Sequence, residues 1–458
     1  MKTFLLILVT IVLAEAAHPR VRYPSYRRKP FTHKPLTDLG KPLIITPYLE
    51  NNQIEEARLA AQVNHLAFQG VSSYSGYFTV EPRTNGNLFF WFFPSQNDYQ
   101  NDPVILWLQG GPGSSSLYGL FTENGPFIVE EDLNVTLREY SWNKNHSVIY
   151  IDQPVGTGYS FTDDDEYVST QEQVGAHLYS ALVQFFTLFP ELAKNEFYIA
   201  GESYAGKYVP SISYTIYKNN PNASLYINLK GLLIGNGLTD PIHQLVYGDY
   251  LYQLGLLDLS QRDDFYSFEE EARSYLKAGD YEMASFVFDE LMEFYEYYTE
   301  LQNPYNYLDD VLIESDAWEK LIVRNDIRQA INVGNQYYDS ESYGVYFGLF
   351  EDISKSVAPW LVELLDNYRV LIYSGQLDVI VAYPLTLNYL QNLQFSAAEE
   401  YKTATRNVWK VNQSVAGYIK VAGNLTEVLV RNAGHFVPGD QPENAYNLVF
   451  NFIRNTLN

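Results

Sequence analysis

Hydrophobic positions along this chain follow two patterns, short unbroken runs and longer segments with helical spacing. The unbroken runs, rich in β-branched and aromatic residues, are PVILWLQ (103–109), SVIYIDQP (147–154), EFYIAGES (196–203), LKGLLIGNG (229–237), RVLIYSGQ (369–376) and TEVLVRN (426–432). Continuous apolar runs of this length are typical of strands in a parallel sheet that is covered on both faces. They therefore predict buried parallel strands.

The segments between these runs predict helices. In EQVGAHLYSALVQFFTLF (172–189), Val174, Leu178, Ala181, Leu182 and Phe185 share one helical face. A second amphipathic helix is predicted over 55–68, and the segments 74–80 and 87–95 resemble antiparallel strands at a sheet edge. Alternation of strands and helices predicts an α/β protein with a mostly parallel, doubly wound sheet.

The alternation breaks in an acidic, helix-rich stretch at 241–324. We interpret this stretch as a helical cap inserted over the carboxyl ends of the strands. The predicted organisation is a core first part at 43–240, the cap at 241–324 and a core second part at 325–458.

The N-terminus differs in composition from the rest of the chain. Lys2, an apolar run and the sequence Ala14-Glu15-Ala16 predict a signal peptide over 1–16, because the run is too short to span a bilayer. Residues 17–42 form a proline-rich basic arm that cannot bury a core. We interpret this arm as a propeptide, as an adhesive arm against the acidic body of the protein, or as a solvated tail. After signal cleavage no membrane association is expected.

Net charge and cysteine content exclude some classes of function, and the glycosylation sequons indicate the cellular compartment. The formal net charge is −25 and the sequence pI is about 4.6, which argues against nucleic-acid binding. The chain has no cysteine, so a zinc-thiolate site and a thiol nucleophile are excluded. We expect a secreted protein, with lysosomal delivery as the alternative, and glycosylation at the sequons of Asn134, Asn145, Asn222, Asn412 and Asn424.

Ser203 is a candidate nucleophile because it lies in GESYAG, directly after a predicted strand. A nucleophile of the α/β-hydrolase fold sits on a strained strand-to-helix turn with small neighbours, and its partners follow in the order acid, histidine. Of the seven histidines only His243 and His435 follow Ser203, and His435 directly follows the last predicted strand. Asp378 follows the predicted strand at 369–376, so the predicted triad is Ser203, Asp378 and His435.

The glycine-rich loop in LWLQGGPGSSSLYG follows another predicted strand and could bring backbone amides to a substrate carbonyl. The N–H groups of Gly111 and Tyr204 are the predicted oxyanion hole, although a plain glycine-rich turn is the alternative.

Four motifs together, WLQGGPGSSS, GESYAGKYVP, YSGQLD and AGHFVPGDQP, resemble the serine carboxypeptidases, and the resemblance runs from about residue 43 to the C-terminus. Segments such as IDQPVGTGYSFTDD look closest to the vitellogenic-like branch. The resemblance implies an exopeptidase that removes single residues from peptides or proteins with a free C-terminus, usually best at acid pH, without metal or cofactor. It also assigns recognition of the substrate's terminal carboxylate to Gln109, Gly110, Glu123 and Glu202, with Gln109 where many relatives carry asparagine.

An acid optimum has an independent physical reason. If Glu123 lies near Glu202, the two carboxyls should share a proton, and substrate affinity should fall as the pH rises. An acyltransferase with the same triad and a non-catalytic secreted scaffold are the alternative functions. A homodimer is a candidate assembly.

Overall fold

The structure is a computed structural model that describes residue 24 and residues 27–164, 166–312 and 315–457. The predicted signal peptide (1–16) and residues 17–23 of the basic arm lie outside the described residues.

A ten-stranded sheet forms the centre of the molecule. Its strands, labelled in chain order, are β1 (Tyr74–Glu81), β2 (Gly86–Phe93), β3 (Val104–Leu108), β4 (Ser147–Ile151), β5 (Phe197–Glu202), β6 (Leu229–Gly235), β7 (Arg369–Gly375), β8 (Asn407–Val411), β9 (Ser414–Ala422) and β10 (Leu425–Val430). Every predicted strand is present within these bounds, and β8 and β9 were not predicted.

The spatial order of the strands is β8-β9-β10-β7-β6-β5-β3-β4-β2-β1. The strands from β10 to β4 in this order are parallel, whereas the pairs β1–β2, β2–β4, β8–β9 and β9–β10 are antiparallel. The central strands β3, β4 and β5 are buried along their whole length, which agrees with their unbroken apolar sequences. The predicted mostly parallel sheet, with an antiparallel edge at 74–93, is therefore present.

Sixteen α-helices cover the sheet or extend from it within the described residues. They are α1 (Thr46–Glu50), α2 (Ile54–Ala61), α3 (Gln171–Leu188), α4 (Ala205–Asn219), α5 (Pro241–Gln244), α6 (Tyr247–Gln253), α7 (Leu259–Ala278), α8 (Tyr281–Thr299), α9 (Ala317–Ile322), α10 (Asn325–Ala330), α11 (Tyr343–Gly348), α12 (Ala358–Leu365), α13 (Tyr383–Asn392), α14 (Ala398–Thr403), α15 (Val437–Asp440) and α16 (Pro442–Ile453). In the described part of the chain, no helix is both long and apolar enough to cross a bilayer.

The structure confirms one of the two predicted helices and contradicts part of the other. Helix α3 follows the prediction closely, because its predicted apolar face is buried against the sheet and the Thr170 side chain caps its first turn. The helix predicted over 55–68 is wrong in its second half, because α2 ends at Ala61 and only a short 3₁₀ turn, Leu66–Phe68, follows.

In the described part of the interval between the neighbouring parallel strands β6 and β7, helices and loops predominate, with one two-residue strand, Tyr338–Asp339. The long helices α7 and α8 pack on each other and share an apolar cluster with residues 379–382, which directly follow Asp378. Tyr305 of the same interval contacts the rings of His435 and Phe436. This segment therefore lies over the carboxyl ends of β7 and β10, where the predicted acid and histidine are found.

Candidate active site

Ser203 occupies a strained turn between a strand and a helix. Strand β5 ends at Glu202 and α4 begins at Ala205, and Ser203 has a φ of +62°, in the left-handed region that serine rarely adopts. Its N–H donates to the carbonyl of Gly235 (3.0 Å), and its own carbonyl accepts from the N–H of Leu238 (3.0 Å). These hydrogen bonds to the loop after β6 hold the turn and present the serine hydroxyl above the sheet.

Small residues around Ser203 are required by backbone contact. A Cβ atom on Gly201 would lie 2.5 Å from the carbonyl oxygen of Leu108, and one on Gly206 would lie 2.6 Å from the amide nitrogen of Leu238. Neither backbone atom could move without displacing a strand or its following loop. The small residues that marked GESYAG in the sequence are thus a condition of the turn's geometry.

His435 and Asp378 form a buried pair at the ends of two neighbouring strands. Nδ1 of His435 lies 2.9 Å from Oδ2 of Asp378, and both side chains are wholly buried. A carboxylate on Nδ1 favours the tautomer that carries its proton there, which leaves Nε2 as a proton acceptor. Nε2 is buried and has no hydrogen-bond partner, so the ring nitrogen that a base would use is unengaged.

Two of the three predicted triad residues and both predicted oxyanion residues line one pocket. Its lining includes Ser203, His435, Gly111 and Tyr204, and the ring of Tyr305 covers one side. The other histidine after Ser203 is elsewhere, because His243 binds Asp240 through Nδ1 (2.5 Å) and its side chain is 39% exposed.

The glycine-rich loop after β3 lies directly against the serine turn. A Cβ atom on Gly110 would be 2.6 Å from the amide nitrogen of Tyr204 and 2.8 Å from Cβ of Ser203. Gly111 has a φ of +104°, a conformation that favours glycine. Tyr204 directly precedes α4, so its N–H belongs to the unpaired amides at a helix N-terminus. The arrangement suits two backbone donors on a developing oxyanion.

The four predicted carboxylate-binding residues also lie together. Gln109 Nε2 donates to Oε1 of Glu202 (2.6 Å) and, more weakly, to Oε1 of Glu123 (3.4 Å). Gln109 Oε1 accepts a hydrogen bond from Nε1 of Trp107 (3.0 Å), which fixes the orientation of the carboxamide. The two glutamates come from a π-helical turn, Gly119–Glu123, and from the end of β5, so only the folded chain pairs them.

Burial makes this carboxyl pair prone to hold a proton. Burial, followed by the charge of Glu123, raises the pKa of Glu202 well above its ordinary value, and burial likewise raises the pKa of Glu123. Oε2 of each carboxyl is buried and receives no hydrogen bond from another group. Two buried carboxyls without further donors are best satisfied by a proton held between them.

Two residues of this site were missed by sequence reasoning. Asn236 donates from Nδ2 to Oδ2 of Asp378 (2.7 Å), and Trp107 orients Gln109 as described above. Asn236 directly follows β6, and Trp107 lies one residue before the end of β3. This position at the carboxyl end of a predicted strand is the signal that could have identified them. Nothing in the local sequence indicated which distant partner each would contact.

The five sequon asparagines differ in accessibility. The side chain of Asn145 is half-buried and accepts a hydrogen bond from the hydroxyl of Tyr446. The other four, which are exposed, are Asn134, Asn222, Asn412 and Asn424.

Comparisons with known proteins identify the family of this chain. Residues 65–455 match the family model described as serine carboxypeptidase. The chain is 50% identical to the venom serine carboxypeptidase of Apis mellifera, covering 94% of this chain and 95% of that protein. It is 45% identical to the vitellogenic carboxypeptidase of Aedes aegypti over 90% of each chain. It is 42% identical to the probable serine carboxypeptidase CPVL of Homo sapiens, covering 92% and 91%.

Among solved structures, Kex1(delta)p, a prohormone-processing carboxypeptidase from Saccharomyces cerevisiae, superposes with a TM-score of 0.79 at 24% sequence identity. The match covers 87% of this chain and 96% of that one. It confirms the predicted α/β-hydrolase fold.

Proposed function

This chain belongs to the serine carboxypeptidase family, and we propose that it releases single C-terminal amino acids from peptides through an acyl-enzyme intermediate on Ser203. The observation that carries the proposal is the buried His435–Asp378 pair, in which Nε2 of His435 has no hydrogen-bond partner and His435 lines the same pocket as Ser203. A base in that position can take the serine proton once a substrate has closed the remaining gap.

The proposed reaction has two halves with the same proton carrier. The Oγ atom of Ser203 attacks the last peptide carbonyl while its proton passes to Nε2 of His435, and Asp378 stabilises the imidazolium. The amides of Gly111 and Tyr204 bind the oxyanion. The C–N bond then breaks, the leaving amine takes the proton from His435, and a water molecule repeats the sequence to release the shortened peptide.

Recognition of the free C-terminus is assigned to the Glu123–Glu202 pair and the Gln109 amide. A neutral carboxyl can donate a hydrogen bond to the substrate's carboxylate, whereas two ionised carboxylates would repel it. The raised pKa values of both glutamates support a protonated pair. We therefore propose that peptide binding is strongest at acid pH.

The decisive test is release of free amino acids from N-blocked dipeptides between pH 4 and 8. The wild-type protein should turn over, a serine-directed inhibitor should label Ser203, and Ser203→Ala should lose at least ~10³-fold of kcat without a change in melting temperature. Retained turnover in Ser203→Ala would exclude Ser203 as the nucleophile.

A matched control separates the triad from general effects of substitution. Ser356→Ala changes a serine whose hydroxyl serves a local turn at Ala358, and it should leave kcat unchanged. Product analysis with an added amine tests the acyltransferase alternative, because transfer to the amine in preference to water would contradict hydrolysis as the main reaction.

We also propose that the chain enters the secretory pathway. Support comes from the apolar N-terminal segment that precedes Ala14-Glu15-Ala16, from the exposed sequons, and from relatives that include a venom protein. N-terminal sequencing of the expressed product should begin after residue 16, and treatment with an N-glycosidase should increase its electrophoretic mobility. An intact Met1 on the mature protein would contradict the proposal.

A further inference from the structure

The described end of the basic arm lies in the catalytic pocket. Arg27 and Arg28 line the same pocket as Ser203 and His435. The arm is held there by backbone pairing of Thr32–His33 with Tyr338–Asp339 and by a hydrogen bond from the N–H of Phe31 to Oγ of Ser340 (2.8 Å). The arm therefore adds a short strand beside the segment that carries Glu341.

The guanidinium of Arg28 sits in a cage of two glutamates and two aromatic rings. It lies 3.0 Å from Glu319 and 3.9 Å from Glu341, and it stacks over the rings of Tyr118 (5.2 Å) and Trp318 (5.5 Å). The glutamate side chains are only 3% and 7% exposed. Carboxylates and aromatic faces at these distances are the groups that recognise a guanidinium or an alkylammonium.

The cage is joined to the catalytic loops on two sides. Oε2 of Glu341 accepts a hydrogen bond from Oγ of Ser114 (2.6 Å), in the turn that follows Gly111. The ring of Tyr118 contacts the ring of Phe436 (5.0 Å), the residue after His435. The cage therefore adjoins the loop of Gly111 and the residue that follows His435.

We propose that the cage of Glu319, Glu341, Tyr118 and Trp318 is a substrate subsite for an arginine or lysine side chain close to the scissile bond. In the resting chain, Arg28 fills this subsite as an internal stand-in for substrate. The inference rests on the proposed carboxypeptidase function, because it names the class of peptide that the same pocket prefers.

Two physical arguments favour a basic side chain over any other occupant. Removal of a neighbouring cation destabilises a buried carboxylate, so withdrawal of Arg28 favours entry of another positive group. Trp318 and Tyr118 present ring faces whose quadrupole attracts a cation and repels an acidic side chain. The arm thus identifies the ligand chemistry by occupying the site.

The test uses full-length variants and arginine–citrulline pairs of peptides, which differ in charge but hardly in shape. N-blocked Arg-Leu, Cit-Leu, Leu-Arg and Leu-Cit dipeptides are compared in the wild type, Arg28→Ala and Arg28→Ala/Glu341→Gln. Arg28→Ala should raise kcat/KM for the arginine peptide of at least one pair, and the arginine-to-citrulline ratio there should exceed about tenfold, as expected for a charge-assisted pair. Adding Glu341→Gln should reduce that ratio towards unity.

Two matched variants control for indirect effects. Glu351→Gln removes an exposed glutamate that pairs with Lys355, and in the Arg28→Ala background it should leave the ratio unchanged. Arg28→Lys keeps a cation in the cage and should resemble the wild type. A ratio near unity in both peptide pairs for Arg28→Ala, or a ratio insensitive to Glu341→Gln, would overturn the subsite.

A binding measurement tests the subsite without relying on peptide hydrolysis. In Ser203→Ala/Arg28→Ala, calorimetry with the uncleaved arginine peptide should give a Kd about tenfold lower than with its citrulline partner. If the double variant binds the arginine peptide more tightly but the wild type hydrolyses no peptide, the proposed carboxypeptidase function is contradicted and the subsite is still supported. Equal binding of the two peptides would contradict the subsite even if hydrolysis is observed.

Discussion

Asn236 donates a 2.7 Å hydrogen bond from Nδ2 to Oδ2 of Asp378, the same oxygen that lies 2.9 Å from Nδ1 of His435. Asn236 follows β6 with a φ of +42°, and its Oδ1 atom accepts from the N–H of Gly375 (3.1 Å) at the end of β7. One side chain therefore ties the ends of two parallel strands to the proposed catalytic acid.

Replacing Asn236 should impair catalysis through Asp378. In Asn236→Ala the buried carboxylate loses a hydrogen-bond donor that fixes its position against His435, so kcat/KM should fall by about 10- to 100-fold. Asn367→Ala, which removes an exposed asparagine bonded to the carbonyl of Glu363, is the control, and an equal loss there would contradict the assignment.

Peptide affinity should fall as the pH rises. The pKa values of Glu123 and Glu202 are raised, so the pair holds a proton at acid pH and loses it on alkalinisation. KM for a blocked dipeptide should therefore increase with pH. The increase should approach about tenfold per pH unit at pH values above the pKa of the shared proton. Glu123→Gln leaves a single ionisable carboxyl and should flatten this dependence. A KM that is constant from pH 4.5 to 8 in the wild type would exclude a shared proton.

The same glutamates should make stability depend on pH. Their folded-state pKa values lie above those of the unfolded chain, so the folded state binds more protons above the ordinary glutamate pKa of about 4.3. The free energy of unfolding should therefore decrease as the pH rises through the raised values. Denaturant titrations should give a smaller decrease for Glu202→Gln than for the wild type, and identical slopes would contradict the argument.

Trp107 should affect binding more than chemistry. Its Nε1–H group donates to Oε1 of Gln109 and thereby keeps Nε2 of that amide turned towards the glutamates. Trp107→Phe removes the donor, so the amide can rotate, and KM should rise by about 3- to 10-fold, the worth of one hydrogen bond, while kcat changes little. Trp360→Phe, at a ring stacked on Tyr214, should leave KM unchanged. A fall in kcat alone in Trp107→Phe would argue against this role.

Gly110→Ala should disable the oxyanion loop. The added methyl group would lie 2.6 Å from the amide nitrogen of Tyr204, so the loop or the serine turn has to shift. A displaced oxyanion donor is expected to lower kcat by about 10²- to 10³-fold. Gly255→Ala is the matched control, because its Cβ meets no atom within 4 Å although its φ is +76°. It should cost about 1 kcal/mol of stability and leave kcat intact.

Much of the sheet and the sites of the proposed triad could be predicted from local pattern. The apolar runs that became β3 to β7 and β10 are buried in the sheet interior, where pattern alone specifies a strand. Asp378 and His435 were recognisable because each follows such a strand, at neighbouring positions of the parallel sheet. The edge hairpin of β8 and β9 was not predicted because the polar residues Asn407, Lys410 and Lys420 interrupt its apolar sequence. Helix α2 ends earlier than its periodicity suggested, because the chain turns at Gln62 to pair with Tyr74.

By itself, then, the sequence determined the alternation of strands and helices, the strained serine turn and the chain order of the serine, the acid and the histidine. Only the tertiary structure decided that Gln109 bridges Glu123 and Glu202, that Asn236 holds Asp378, and that Arg28 enters an acidic cage beside the pocket. The reason is physical: periodicity and turn chemistry act between neighbours in the chain, whereas the contacts of these side chains join segments that only the packed sheet brings together.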